Sequence, residues 1–153
     1  MNQVEKKIMS VALFALTASS LLYASDASAQ SFGGTTLRND VTRKCLDSNY
    51  EGRVYTLACN GGRFQTWVPI KPGTSNLYVI KNLETGRCLD SNALGNAYAI
   101  ACNGGNFQVW IQTFFSNGRK SYTNLATGRL LDSNAQGDVY TLPYNPGRYQ
   151  LWY

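Results

Sequence analysis

One segment of this chain is written three times, and that repetition limits the fold more than any other feature. CLDSNYEGRVYTLACNGGRFQTW begins at Cys45, CLDSNALGNAYAIACNGGNFQVW at Cys88 and LLDSNAQGDVYTLPYNPGRYQLW at Leu130. Aligned on Gln-x-Trp, the copies superpose Gln65 and Trp67 on Gln108 and Trp110 and on Gln150 and Trp152. The lead-in recurs as well, as NDVTRK from Asn39, NLETGR from Asn82 and NLATGR from Asn124. Three copies of about forty residues, roughly 35–73, 74–116 and 117–153, fill nearly all of the chain beyond its first thirty residues. The fold is therefore built from the repeat, because a unit of this size buries its apolar face only against its neighbours.

Within each copy the local signals are those of strands and turns. The runs Arg53 to Cys59 and Phe64 to Ile70 are rich in Val, Tyr, Thr, Phe and Trp, and Asn-x-x-Gly, Gly-Gly and Pro-Gly turns bound them. No helical spacing persists. Four short strands and a tryptophan per unit also describe a propeller blade, but propellers close with about four blades or more. Three units suit an all-β fold, the β-trefoil, in which each repeat gives part of a barrel and part of a hairpin cap. Trp67, Trp110 and Trp152 are then equivalent core residues.

The third copy replaces both cysteines of the set at once, by Leu130 and Tyr144. Paired loss is what bonding within a copy produces, so the expected disulfides are Cys45–Cys59 and Cys88–Cys102. Each closes a loop of about fifteen residues and contributes on the order of 3 kcal/mol in the chain-entropy account. Leu130 and Tyr144 are expected to offer apolar contact instead. A metal site is disfavoured, since the chain has no histidine and no Cys-x-x-Cys pair, and no cofactor is implied.

Residues 1–29 resemble an export signal: Lys6 and Lys7 precede an apolar run from Ile8 to about Ala24, and Ala27-Ser28-Ala29 is a small-x-small cleavage pattern. The run is short of the ~20 residues a membrane span needs. The expected mature protein, 30–153, is one secreted domain, extracellular or periplasmic, in an oxidising setting that suits disulfides. Removing Lys6, Lys7, Glu5 and Asp26 leaves the formal charge at +5. Its basic residues are dispersed, a mild bias toward anionic partners that falls short of a nucleic-acid footprint.

The chemistry that recurs is one Asp, one Tyr, one Asn and one Gln per copy. The sets are Asp47, Tyr55, Asn60 and Gln65; Asp90, Tyr98, Asn103 and Gln108; and Asp132, Tyr140, Asn145 and Gln150. A carboxylate accepts hydrogen bonds from adjacent hydroxyls, an amide donates and accepts, and an aromatic face lies against the C–H face of a sugar ring. Each residue also has a structural use: Asp-Ser-Asn followed by Gly is a turn, Tyr55 alternates with Leu57 and Cys59 on one strand face, Asn60 shapes the Gly-Gly turn, and Gln65 can bond backbone. All four positions survive in the copy that lacks its disulfide. With no His and no unpaired Cys, the usual nucleophile and base combinations are missing. Asp47, Asp90 and Asp132, one per repeat, are expected to lie farther apart than the ~5–10 Å of a glycosidase pair.

Three units of Cys-Leu-Asp, a central strand, Cys-Asn and Gln-x-Trp resemble the ricin B-type β-trefoil lectins, the (QxW)3 group, over essentially all of 30–153. The fuller string is most similar to the lectin repeats that accompany the ADP-ribosylating mosquitocidal and pierisin-like toxins. The resemblance implies that Asp47, Asp90 and Asp132 receive sugar hydroxyls and that Gln65, Gln108 and Gln150 belong to the same sites. Where the family usually places its stacking aromatic, this chain has Leu57, Ile100 and Leu142. Where the family has an amide before the final Gln, it has Phe64, Phe107 and Tyr149. Tyr55, Tyr98 and Tyr140 are the aromatics left to serve as platforms. The expectation is a non-catalytic lectin whose partners are glycans or polysaccharides, cell-surface glycoconjugates among them, acting by avidity. The alternative is a receptor-binding or scaffolding subunit that contacts a toxin or enzyme chain.

Overall fold

The computed structural model describes residues 33–153, and the export segment expected at 1–29 lies outside the described residues. Ten strands and three single turns of 3-10 helix repeat one pattern three times. Each repeat contributes a hairpin: β1 (Cys45–Ser48) with β2 (Val54–Leu57), β5 (Cys88–Ser91) with β6 (Ala97–Ile100), and β9 (Leu130–Ser133) with β10 (Val139–Leu142). A 3-10 turn follows, at Arg63–Gln65, Asn106–Gln108 and Arg148–Gln150. The chain then returns to the barrel through its tryptophan.

The barrel is a closed ring. β3 (Trp67–Ile70) pairs with β4 (Leu77–Asn82), β4 with β7 (Val109–Phe114), and β7 with β8 (Lys120–Asn124). Bridges Lys120↔Trp152, Asn39↔Trp152 and Thr35↔Trp67 complete the circuit through the last and first segments. Closure leaves no free sheet edge around the ring. The fold is an all-β β-trefoil, and both expected disulfides, Cys45–Cys59 and Cys88–Cys102, are present.

The core repeats as faithfully as the sequence. Trp67, Trp110 and Trp152 are each 0% exposed. Their indole Nε1 groups donate to the carbonyls of Leu46, Leu89 and Leu131 at 2.9, 3.0 and 3.2 Å. Each tryptophan thus joins the barrel to the hairpin of its own repeat while satisfying its one polar atom. Leu37, Val54, Ile80, Ala99, Tyr122 and Val139 fill the space between them.

The three hairpins meet in a second ring. Thr56 N donates to Gly137 O at 2.8 Å, Ala99 N to Gly52 O at 2.8 Å and Thr141 N to Gly95 O at 2.7 Å. The approach demands glycine twice over. Gly52, Gly95 and Gly137 have φ of +84°, +94° and +108°. A Cβ on them would stand 2.3, 2.7 and 2.7 Å from the carbonyl oxygens of Ala99, Thr141 and Thr56.

Two expectations are corrected. The run Phe64 to Ile70 is not one strand, because the 3-10 turn takes Phe64 and Gln65 and the strand starts at Trp67. The Gln65 side chain is buried at the end of that turn. Nor do Leu130 and Tyr144 close over the missing disulfide: Leu130 is buried, but Tyr144 is 75% exposed.

Candidate functional site

On each hairpin the Asp and the Tyr stand opposite each other: Asp47 across from Tyr55, Asp90 from Tyr98 and Asp132 from Tyr140. Directly opposed residues share a face, so phenol and carboxylate lie side by side. All three phenols are held above their ordinary pKa, first by burial and then by the charge of the facing Asp. The face they share points away from the core formed by Val54, Ala99 and Val139.

Behind each hairpin the turn that follows is tied by one Asn and one Gln, and in the first and third repeats the Gln also reaches the Asp. Asn60 Oδ1 accepts from Gly62 N at 2.7 Å, while Asn60 N donates to Gln65 Oε1 at 2.9 Å. Gln65 Nε2 donates to Asp47 Oδ2 at 2.9 Å and to Ala58 O at 3.1 Å. The same backbone bonds recur for Asn103 with Gly105 and Gln108, and for Asn145 with Gly147 and Gln150. Gln108 Nε2 reaches Ala101 O and Gln150 Nε2 reaches Pro143 O, both at 3.0 Å.

The three glutamines are no more than 1% exposed and have both amide ends engaged. A buried amide whose bonds are already made shapes the loop behind the carboxylate, the structural use that the sequence also offered. Asn60, Asn103 and Asn145 do shape the Gly turns, as one of the two readings held. Asn103 and Asn145 also line the surface depressions.

Two such depressions are well formed. One, of about 330 Å³, is lined by Asp132, Tyr140, Leu142, Asn145 and Tyr149 among others. The other, of about 230 Å³, is lined by Asp90, Tyr98, Ile100, Asn103 and Phe107. The floor is the Asp, one wall the Tyr, the other wall the aromatic that precedes Gln. Burial raises the pKa of the Asp132 carboxyl, opposed by hydrogen bonds from Gln150, the Ser133 backbone and Asn145.

The first repeat differs. Its Tyr50, which aligns with Ala93 and Ala135, packs edge-on against Phe64 with ring centroids 5.3 Å apart. Tyr50 Oη donates to Glu84 Oε1 at 2.8 Å, and Arg63 holds the other oxygen of Glu84 at 2.6 Å. The first hairpin thus carries an extra aromatic in its turn, packed on Phe64 and fixed by a carboxylate from the second repeat. Sequence reasoning passed over Tyr50, Phe64 and the equivalent Phe107 and Tyr149 as contacts. The signal for Tyr50 was present: an aromatic at a turn position where the other copies have alanine.

The candidate residues therefore assemble within each repeat and not between repeats, and among the described residues no cluster of potential metal ligands is found. Fold and site together define a β-trefoil that bears a repeated, carboxylate-floored depression on its hairpin cap. The chain belongs to the family of the ricin-type β-trefoil lectin domain, whose sequence profile matches residues 33–152, and carbohydrate binding is the activity that membership implies.

Among solved structures it is similar to the designed three-fold symmetric protein ThreeFoil, with 25% identity and a TM-score of 0.71. That match covers 76% of this chain and 94% of the other. It is also similar in fold to 1,3Gal43A, an exo-β-1,3-galactanase from Clostridium thermocellum, with 22% identity and a TM-score of 0.71. There the match covers 78% of this chain but spans only 29% of the galactanase.

Proposed function

We propose that the protein is a secreted, non-catalytic lectin with up to three similar sugar sites, one per repeat, acting through avidity. The observation that carries this reading is the facing Asp–Tyr pair, repeated on three hairpins with a Gln- and Asn-tied turn behind each. A braced carboxylate accepts two sugar hydroxyls without reorganising, and the aromatic walls offer apolar surface to the ring. The three repeated carboxylates lie on separate hairpins, which supports binding over hydrolysis. The two disulfides fit an extracellular protein, and the export segment in the sequence supports secretion. Shallow single sites of this kind bind near millimolar, roughly 4 kcal/mol, so several sites on one surface supply the useful affinity.

The test is a glycan and polysaccharide array with wild type and an Asp47→Ala, Asp90→Ala, Asp132→Ala variant first shown to be folded. Binding of a coherent sugar class by wild type, lost in the variant, is the expected result. Equal binding by both would remove the Asp from the sites. The likeness to toxin-associated repeats favours a second reading, a receptor-binding or scaffolding subunit of a multi-chain toxin or enzyme complex. Failure of wild type on every glycan, with capture of a specific protein chain, would select it.

A further inference from the structure

The third repeat opens a cavity where its sisters have a disulfide. Leu130 faces Leu142 in the same register in which Cys45 faces Leu57 and Cys88 faces Ile100, so the positions are equivalent. At this place the surface encloses about 320 Å³, near the lower end of the ~300–1,000 Å³ typical of small-molecule pockets. Leu130, Tyr144, Phe115 and Leu151 give it apolar walls, and Thr113, Ser121 and Thr123, from β7 and β8, add hydroxyls. It is not the sugar depression of this repeat, with which it shares only Asn145.

The lining selects a ligand class by what it lacks. No charged side chain lines the cavity, so an ionic ligand would be desolvated with no counter-charge. The amide oxygens of Asn145 and Gln150 already accept from Gly147 N and Asn145 N, and Gln150 Nε2 donates to Pro143 O. A sugar ring, with a hydroxyl on nearly every carbon, would therefore bury more polar groups than the four hydroxyls of Thr113, Ser121, Thr123 and Tyr144 satisfy. A flat aromatic ring with one or two hydroxyls matches: its faces meet Phe115, Tyr144 and the leucines, and its hydroxyl meets a hydroxyl of the wall.

We propose that this cavity, left by the loss of the third disulfide, is a binding site for an uncharged phenolic ring. The inference does not rest on the three depressions binding sugar. It is tested by titrating the protein with 4-methylphenol, and in parallel with galactose, while following backbone amide shifts. Saturable shifts centred on Phe115, Leu130 and Tyr144 with the phenol are expected.

Two variants locate the site. Leu130→Cys with Tyr144→Cys restores the bond and should weaken phenol binding by about tenfold or more. The second repeat has both a disulfide and a depression, so any glycan binding should persist in this variant. Thr113→Trp, at an exposed position of β7, fills the cavity from its rim and should act likewise even if the cysteines fail to pair. Shifts that are absent, that map elsewhere, or that persist unchanged in both variants overturn the proposal. So does tighter binding of galactose at the same residues.

Discussion

Asn39 Nδ2 donates to the carbonyl of Tyr149 at 2.7 Å, joining the first repeat to the last across 110 residues of chain. Asn82 makes the same bond to Phe64 O, and Asn124 to Phe107 O, each at 2.7 Å. All three asparagines are fully buried, and each Oδ1 accepts two backbone N–H groups of its own lead-in turn. Asn39→Ala should lower stability by about 1–3 kcal/mol, because it strands a buried carbonyl and frees a turn. Chemical denaturation measures it, and a loss below about 0.5 kcal/mol would show the turn to hold without its side chain.

The cap glycines can be separated from ordinary turn glycines. Gly118, with φ of +78°, has nothing within 4 Å of a Cβ position, whereas Gly52 has the Ala99 carbonyl at 2.3 Å. Gly118→Ala should cost about 1 kcal/mol for its backbone conformation alone. Gly52→Ala should cost at least twice that, since two hairpins must separate. Equal melting temperatures for the two variants would refute the close contact as the reason for glycine.

Brace and wall should part experimentally. Gln108→Ala leaves Asn103 N and Ala101 O without their partners, and should destabilise by about 1–3 kcal/mol as well as reduce glycan binding. Tyr98→Ala, at the half-buried wall, should reduce glycan binding while costing less stability. Thermal melts run beside glycan titrations distinguish the two patterns.

Two carboxyls have pKa values displaced in opposite senses. Asp40 is buried beneath Arg148 Nε at 2.6 Å and Tyr153 Oη at 2.8 Å, with Arg119 Nε at 2.9 Å but too oblique for a hydrogen bond. The bond from Arg148 leads in holding its pKa well below the usual carboxylate range, against the cost of burial. A depressed folded pKa stabilises above the unfolded value near 3.9, and that contribution fades as pH falls below it. Asp40→Asn should flatten the acid limb of the stability curve. Asp132, its pKa raised by burial, takes up its proton at a higher pH than a free carboxyl, so binding at the third site should already weaken at a pH where a free carboxyl is still ionised. A pH series on variants that retain only one Asp of the three would reveal it.

Tyr50 should make the first site unlike the others. Tyr50→Ala is expected to change glycan binding at the first repeat alone, with little effect on stability, since Tyr50 is largely exposed. Glu84→Gln, which weakens the tether from Arg63, should move binding in the same direction by a smaller amount. Identical glycan titrations for Tyr50→Ala and wild type would exclude Tyr50 from the site.

Period and composition made much of this legible. The spacing of Gln-x-Trp gave three units, and the joint replacement at Leu130 and Tyr144 gave the cysteine pairs, because both features repeat in register along the chain. The 3-10 turn at Arg63–Gln65 was hidden, since Phe and Gln before Trp continue a strand pattern and no side chain caps the turn at Gly62. Tyr144 was misjudged for a related reason. Residue type records a capacity for apolar contact but not whether the loop aims the ring inward. Tyr50 escaped because attention to what recurs discards what occurs once.

The hairpins touch through backbone bonds, with a glycine at each contact. Those three bonds tie the hairpins to one another and fix the spacing of the Asp–Tyr faces. If each face holds a sugar, the protein is a ruler: it would discriminate among surfaces by how densely ligands are planted on them, rejecting a sparse field of the correct sugar and gripping a crowded one.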